Sequence, residues 1–187
     1  MSRQILLCSI AIALLASAAC SKRTTESAPA DLASLRTKAD AGSAAEQFNI
    51  GVMFAKGKGG LWDAEIAVKY FREAAESGVA AAQYNLGVMY TNGDGGSKNA
   101  VEAVKWYRKA AEQGHANAQN NLGFMYDTGT GVPKDLVQAH VWFNIAGANG
   151  IEYAKNNLAI VEKEMSSEQK AEATKLAREI FARLEKK

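Results

Sequence analysis

Gly42, Gly78, Gly114 and Gly150 stand 36 residues apart, and many neighbouring positions keep the same step. Gln47, Gln83 and Gln119 do so, as do Asn49, Asn85, Asn121 and Asn157, then Gly51, Gly87 and Gly123, then Met53, Met89 and Met125. A period of this length means stacked copies of one supersecondary unit, each burying its apolar face on the next. Such a chain builds an extended surface rather than one central pocket.

The second half of each copy is an amphipathic helix. Ala67, Tyr70, Phe71, Ala74 and Ala75 fall at i, i+3, i+4, i+7 and i+8, one apolar face at helical spacing. The next copies are Ala103, Trp106, Tyr107, Ala110, Ala111 and Ala139, Trp142, Phe143, Ala146, Gly147. Large rings alternate with small alanines, so adjacent helices interdigitate. Asp63, Asn99 and Asp135 precede these helices as N-caps, and Glu102 and Gln138 stand three residues on, as in a capping box. Each helix ends at its marker glycine, the residue that best tolerates a left-handed terminus.

The first half carries Ile50-Gly51, Leu86-Gly87 or Leu122-Gly123, then Phe54, Tyr90 or Tyr126. A glycine inside a helix costs about 1 kcal/mol relative to alanine, so its recurrence marks a close approach. Gly57-Lys58-Gly59, Gly93-Asp94-Gly95 and Gly129-Thr130-Gly131 form the turns. The expected fold is all-α: an α-solenoid of antiparallel helical hairpins with 36-residue repeats and helical caps.

Five segments follow. Residues 1–19 read as an export signal, with Arg3, an apolar run from Ile5 to Leu15 and small residues to Ala19, too short a run for a permanent span. Residues 20–30 are a polar, aperiodic tether. Residues 31–42, with Leu32, Leu35 and Ala39, form a capping helix. Residues 43–150 hold three repeats. Residues 151–187 are a degenerate repeat, with Ala159 in place of the helix glycine, and a last helix with Ala173, Leu176, Ala177, Ile180, Phe181 and Leu184 on one stripe, expected to close the core's exposed end.

Hydrophobic residues make up 48% and charged residues 22% of the 187, which excludes a disordered chain. Lys+Arg 22 against Asp+Glu 20 leaves a net charge of only +2, so no basic field for nucleic acid is implied. Once Cys8 leaves with the signal, Cys20 is the only cysteine, and no internal disulfide can form. No His/Cys cluster has metal-ligand spacing around His115 or His140. The glycine turns lack a phosphate-loop Gly-Lys-Ser/Thr, and Asp94 lacks the oxygen ligands of a calcium loop. No catalytic residue, cofactor or metal site is assigned.

Ala-x-x-x-Leu-Gly-x-x-Tyr, a glycine turn, Asp, Ala, Trp-Tyr or Trp-Phe and Ala-Ala-x-x-Gly resemble the Sel-one-like repeat, a tetratricopeptide-like hairpin. Ala82 to Gly114 is the best copy, and Gly131-Val132-Pro133-Lys134-Asp135 of the third is also typical. Repeat one departs from the pattern, with Tyr70 in place of the tryptophan and Gly60-Leu61-Trp62 in the turn. The resemblance implies a non-enzymatic adaptor or scaffold whose partner is a protein or peptide. It also implies that the first helices line a concave face. On that face the candidate partner-binding residues are Phe48, Val52 and Lys56, then Tyr84, Val88 and Asn92, then Asn120, Phe124 and Thr128. For each row two readings stand: contact with a partner, or packing between repeats. The repeated asparagines are read in the same way, as possible ties to backbone at inter-repeat turns.

Ser17-Ala18-Ala19-Cys20 resembles a bacterial lipoprotein signal, departing from it at Ser17, where an aliphatic residue is usual. It implies lipidation of Cys20 and a periplasmic protein anchored in the outer membrane, with Ser21 favouring that sorting. The other reading of Cys20 is an ordinary thiol beside an alanine-rich cleavage site. Some secreted relatives are associated with penicillin binding or β-lactam hydrolysis, but they carry paired cysteines in each repeat, which this chain lacks. That enzyme reading and a secreted effector are the alternatives.

Overall fold

A computed structural model of the chain describes residue 37, residues 39–57 and residues 62–186. The export signal, the tether with Cys20, most of the capping helix and the turn residues 58–61 lie outside the described residues. The helices are α1 (Ala44–Lys56), α2 (Ala64–Glu76), α3 (Ala80–Asn92), α4 (Ala100–Ala111), α5 (Ala116–Thr128), α6 (Leu136–Ala148), α7 (Glu152–Val161) and α8 (Ser167–Leu184). A 3-10 turn, Glu162–Glu164, joins the last two. The described residues include no strand. Consecutive helices pack as hairpins α1–α2, α3–α4 and α5–α6, and each hairpin stacks on the next through α2–α3, α4–α5 and α6–α7. The expected all-α solenoid is what forms.

The second helices begin where the sequence places them. Asp63, Asn99 and Asp135 accept hydrogen bonds from the backbone N–H of Ile66, Glu102 and Gln138. The reciprocal capping box expected there is not made. Among the described residues it occurs at Ser43 with Glu46 and Ser166 with Gln169, where a hydroxyl is the first member. Glu102 instead pairs with Lys105.

At the other end the three copies are superimposable in bonding. Val79, His115 and Ile151 donate N–H to the carbonyls of Ala74, Ala110 and Ala146 at 3.0, 3.1 and 3.0 Å. The preceding Gly78, Gly114 and Gly150 have φ of 95°, 87° and 89°, the geometry of a Schellman stop. Gly42 shares their spacing but not their positive φ.

The helix glycines answer to a ring. A methyl at Gly51, Gly87 or Gly123 would lie 2.8, 2.7 and 2.8 Å from Phe71, Tyr107 and Phe143 respectively. Each ring belongs to the facing helix of the same hairpin and is fully buried, which contributes roughly 1.5–3 kcal/mol. Thr91 donates to the Gly87 carbonyl at 2.9 Å, which leaves its oxygen to accept from the Tyr107 hydroxyl at 3.1 Å. Burial pushes that phenol up to about 12. Ring and glycine are 20 residues apart in all three copies. In the fourth, residue 179 is Glu and residue 159 is Ala, so the glycine disappears together with the ring it accommodates.

Without that lock the last hairpin does not close. α8 packs mainly along α6, and its Ala173 and Ala177 join the core of the last repeat. The outer face of α6 is covered in consequence: Val141 and Ile145 are fully buried, where repeat two has exposed Lys105 and Lys109.

Candidate functional site

Buried polar side chains tie one repeat to the next. Gln83 and Gln119 donate to the carbonyls of Ala75 and Ala111 at 3.0 and 3.1 Å. They accept in turn from Gln113 at 2.7 Å and Asn149 at 2.8 Å. The glutamines therefore hold the inter-repeat backbone, a role the sequence suggested for the asparagines. Of the periodic asparagines, Asn157 bonds between first helices, donating to Asn120 at 3.1 Å, and one turn away Tyr153 donates to Asn117 at 3.0 Å.

The nine candidate residues divide. Val88 and Asn120 are buried and belong to packing between helices, so they are not open to a partner. Phe48 is half-buried with its ring 5.9 Å from Phe71, and Val52 packs on the same cluster. Tyr84 is half-buried, 6.1 Å from Tyr107 and stacked on His115 at 4.5 Å. Asn92 donates to Asp94 at 3.0 Å. Lys56, Phe124 and Thr128 are exposed.

Two further exposed residues extend the surface beyond those nine, Tyr153 and Ile160. Both lie 36 residues after members of α5, Asn117 and Phe124. The register that bonds 117 to 153 and 120 to 157 brings Phe124 and Ile160 to equivalent positions on neighbouring helices. The fading of the pattern after Gly150 hid them, although the period itself reaches them.

His115 is a structural residue. It is the N-cap of α5, and its Nδ1 accepts from the Ala118 N–H at 3.3 Å. Only neutral imidazole can do this. Burial holds its pKa below the ordinary histidine value, and a positive charge at a helix N-terminus is unfavourable. The folded state therefore favours the neutral ring. Its stabilisation is complete above the unfolded pKa of about 6.5 and is lost as pH falls through the lowered folded value. Melting temperature is therefore expected to fall as pH is lowered from about 7.5 through the histidine range. His115→Asn, a cap that does not titrate, should flatten that dependence; an unchanged pH slope in the variant would refute it.

Catalytic groupings are sparse. Among the described residues no group of three or more His, Cys, Asp or Glu could hold a metal ion, and no helix is long and apolar enough to cross a membrane. His140 is buried with its Nε2 3.1 Å from Glu162. One Ser-x-x-Lys spacing, that of β-lactam-acylating enzymes, does occur at Ser167 to Lys170. It opens α8, where Ser166 makes the cap and Ser167 points to solvent.

The Sel1 repeat model matches residues 47–79, 80–115 and 116–151, more than half the chain, and the chain belongs to the Sel1-repeat family. Proteins of this family are generally non-catalytic repeat scaffolds that bind other proteins. Among solved structures, c5321 of uropathogenic Escherichia coli, a protective antigen displaying an SLR fold, is 36% identical with a TM-score of 0.70. The match covers 81% of this chain and 34% of that one. A Sel1 repeat protein from Oxalobacter formigenes is 44% identical over 63% of this chain and 49% of its own, with a TM-score of 0.61. Helicobacter pylori cysteine rich protein B, at 23% identity and a TM-score of 0.53, shares the fold over 66% of this chain and 93% of its own. The chain thus spans about a third to a half of the first two. No curated protein matches it.

Proposed function

We propose that this chain is a non-enzymatic adaptor of the bacterial cell envelope, tethered through Cys20 and binding a peptide segment of a partner protein on its first helices. The observation that supports it is the pair Phe124 and Ile160, 39% and 55% exposed, one repeat apart on adjacent helices, with exposed Tyr153 seven residues before Ile160 on α7. Lys56 and Thr128 border the same row from the ends of α1 and α5. Apolar side chains of a peptide would bury on the ring and the isoleucine, with polar groups between them to bond its backbone.

A photoreactive residue at Tyr153 is expected to crosslink one defined partner in intact cells. Phe124→Ser and Ile160→Ser should each weaken that capture about tenfold, about 1.4 kcal/mol, with unchanged melting temperature. Capture that survives both substitutions would place the partner elsewhere. Tyr84→Ser is the poorer probe, because Tyr84 also packs on Tyr107 and His115. For the tether, a labelled fatty acid should mark the protein and the label should vanish in Cys20→Ser; unlabelled wild type refutes the anchor.

A further inference from the structure

The doubling back of α8 walls a cleft against α4, α5 and α6. Its volume is about 430 Å³, within the roughly 300–1,000 Å³ range of small-molecule sites. Arg108 of α4 forms one wall, with its Nη2 donating to the Tyr126 hydroxyl at 2.6 Å and its guanidinium 5.7 Å from that ring's centroid. Trp142 of α6 forms the floor, and the last turns of α8 supply Ile180, Arg183 and Leu184.

One repeat earlier the arginine and tyrosine recur, but the surroundings of the tryptophan differ. Arg72 donates to Tyr90 at 2.7 Å, so the arginine–tyrosine bond is part of the repeat. Trp106, however, is covered by the Lys109 ammonium, 4.3 Å from its ring. In the third copy the position of Lys109 is Ile145, buried, and the place beside the tryptophan is bordered by Arg183 instead. No described residue makes a hydrogen bond or ion pair with the Arg183 guanidinium, whereas Arg108 keeps donors beyond the one used on Tyr126. The cleft thus sets two guanidinium groups around an apolar floor.

We propose that this cleft binds a small amphiphilic carboxylate, its alkyl or aryl body on Trp142, Ile180 and Leu184 and its headgroup held by Arg108 and Arg183. Guanidinium matches carboxylate geometry in a bidentate fork. Glu112 and Gln138 also line the cleft, and the two arginines disfavour a cation. This site is separate from the row containing Phe124 and Ile160 and does not depend on the adaptor reading.

Calorimetric titration of the full chain with decanoate tests it. One saturating site is expected, weakened at least tenfold by Arg183→Gln, a change on an exposed side chain of α8 that should leave the melting temperature unaltered. Decanol, which keeps the chain and lacks the charge, should bind at least tenfold more weakly, and Phe124→Ser should bind decanoate like wild type. The proposal is overturned by a titration that does not saturate, by Arg183→Gln binding decanoate as tightly as wild type, or by decanol equalling decanoate. Decyl phosphate binding as tightly as decanoate overturns the carboxylate assignment.

Discussion

Replacing Gly131 by alanine is expected to cost about 3–4 kcal/mol, a large fraction of the roughly 5–15 kcal/mol margin of a folded domain. The residue has φ of 72°, and a methyl there would lie 2.3 Å from the carbonyl oxygen of Ala100 and 2.4 Å from its carbon. Ala100 opens α4, the second helix of the preceding repeat, so the turn of one hairpin rests on the backbone of another. A left-handed alanine costs roughly 1–2 kcal/mol. Overlap in a packed region adds roughly 1–3 kcal/mol, and here the obstacle is main chain, which cannot rotate away. Two neighbouring cases separate the contributions. Gly129 has φ of 70° but nothing nearer than 3.4 Å, and Gly96 has open space and no positive φ. Gly129→Ala should therefore lose about 1–2 kcal/mol of conformational strain alone, and Gly96→Ala should stay within about 0.5 kcal/mol. Urea unfolding of the three variants gives the order. A Gly131→Ala no less stable than Gly129→Ala would mean that the stacking contact carries nothing.

The sequence made the regular part legible because each repeat position has one physical job and performs it three times. The N-cap carboxylates and amide, the glycine stops and the alanine–aromatic faces could all be read locally, since their partners lie within a few residues or on the same helix. The helix glycines could be read as close approaches, but not as sockets for Phe71, Tyr107 and Phe143. That pairing spans two helices and becomes visible only as a constant separation of 20 residues. Gln83 and Gln119 were visible as periodic and not as backbone ties, because amide side chains carry no sign of what they bond. On the candidate surface the same limit applied. Val88 and Phe124 occupy one repeat position, yet one is buried and the other exposed, a difference set by what the neighbouring repeats place over them.

The course of α8 was the least legible element, although repeat three carries its signal. Positions 141 and 145 are Val and Ile where repeat two has Lys105 and Lys109, and repeat one has Lys69 and Glu73. A solvated helix face gains nothing from burying two aliphatic side chains unless another element covers them. Returning both to the residues of repeat two, Val141→Lys with Ile145→Lys, is therefore expected to release α8. The lost burial is roughly 3–6 kcal/mol for the pair, and keeping α8 docked would require two ammonium groups buried without partners, at several kcal/mol each. Undocking avoids that cost, because the opposite face of α6, with Ala139, Phe143 and Ala146, still packs in its hairpin. Hydrogen exchange should show residues 167–184 losing protection while α1 to α5 keep theirs, and decanoate binding in the cleft should vanish with the wall that Arg183 provides. Protection of α8 equal to wild type would show that it is held by some other face, and loss of protection throughout the chain would show that α8 is part of the solenoid's cooperative core rather than a strap laid over its last repeat.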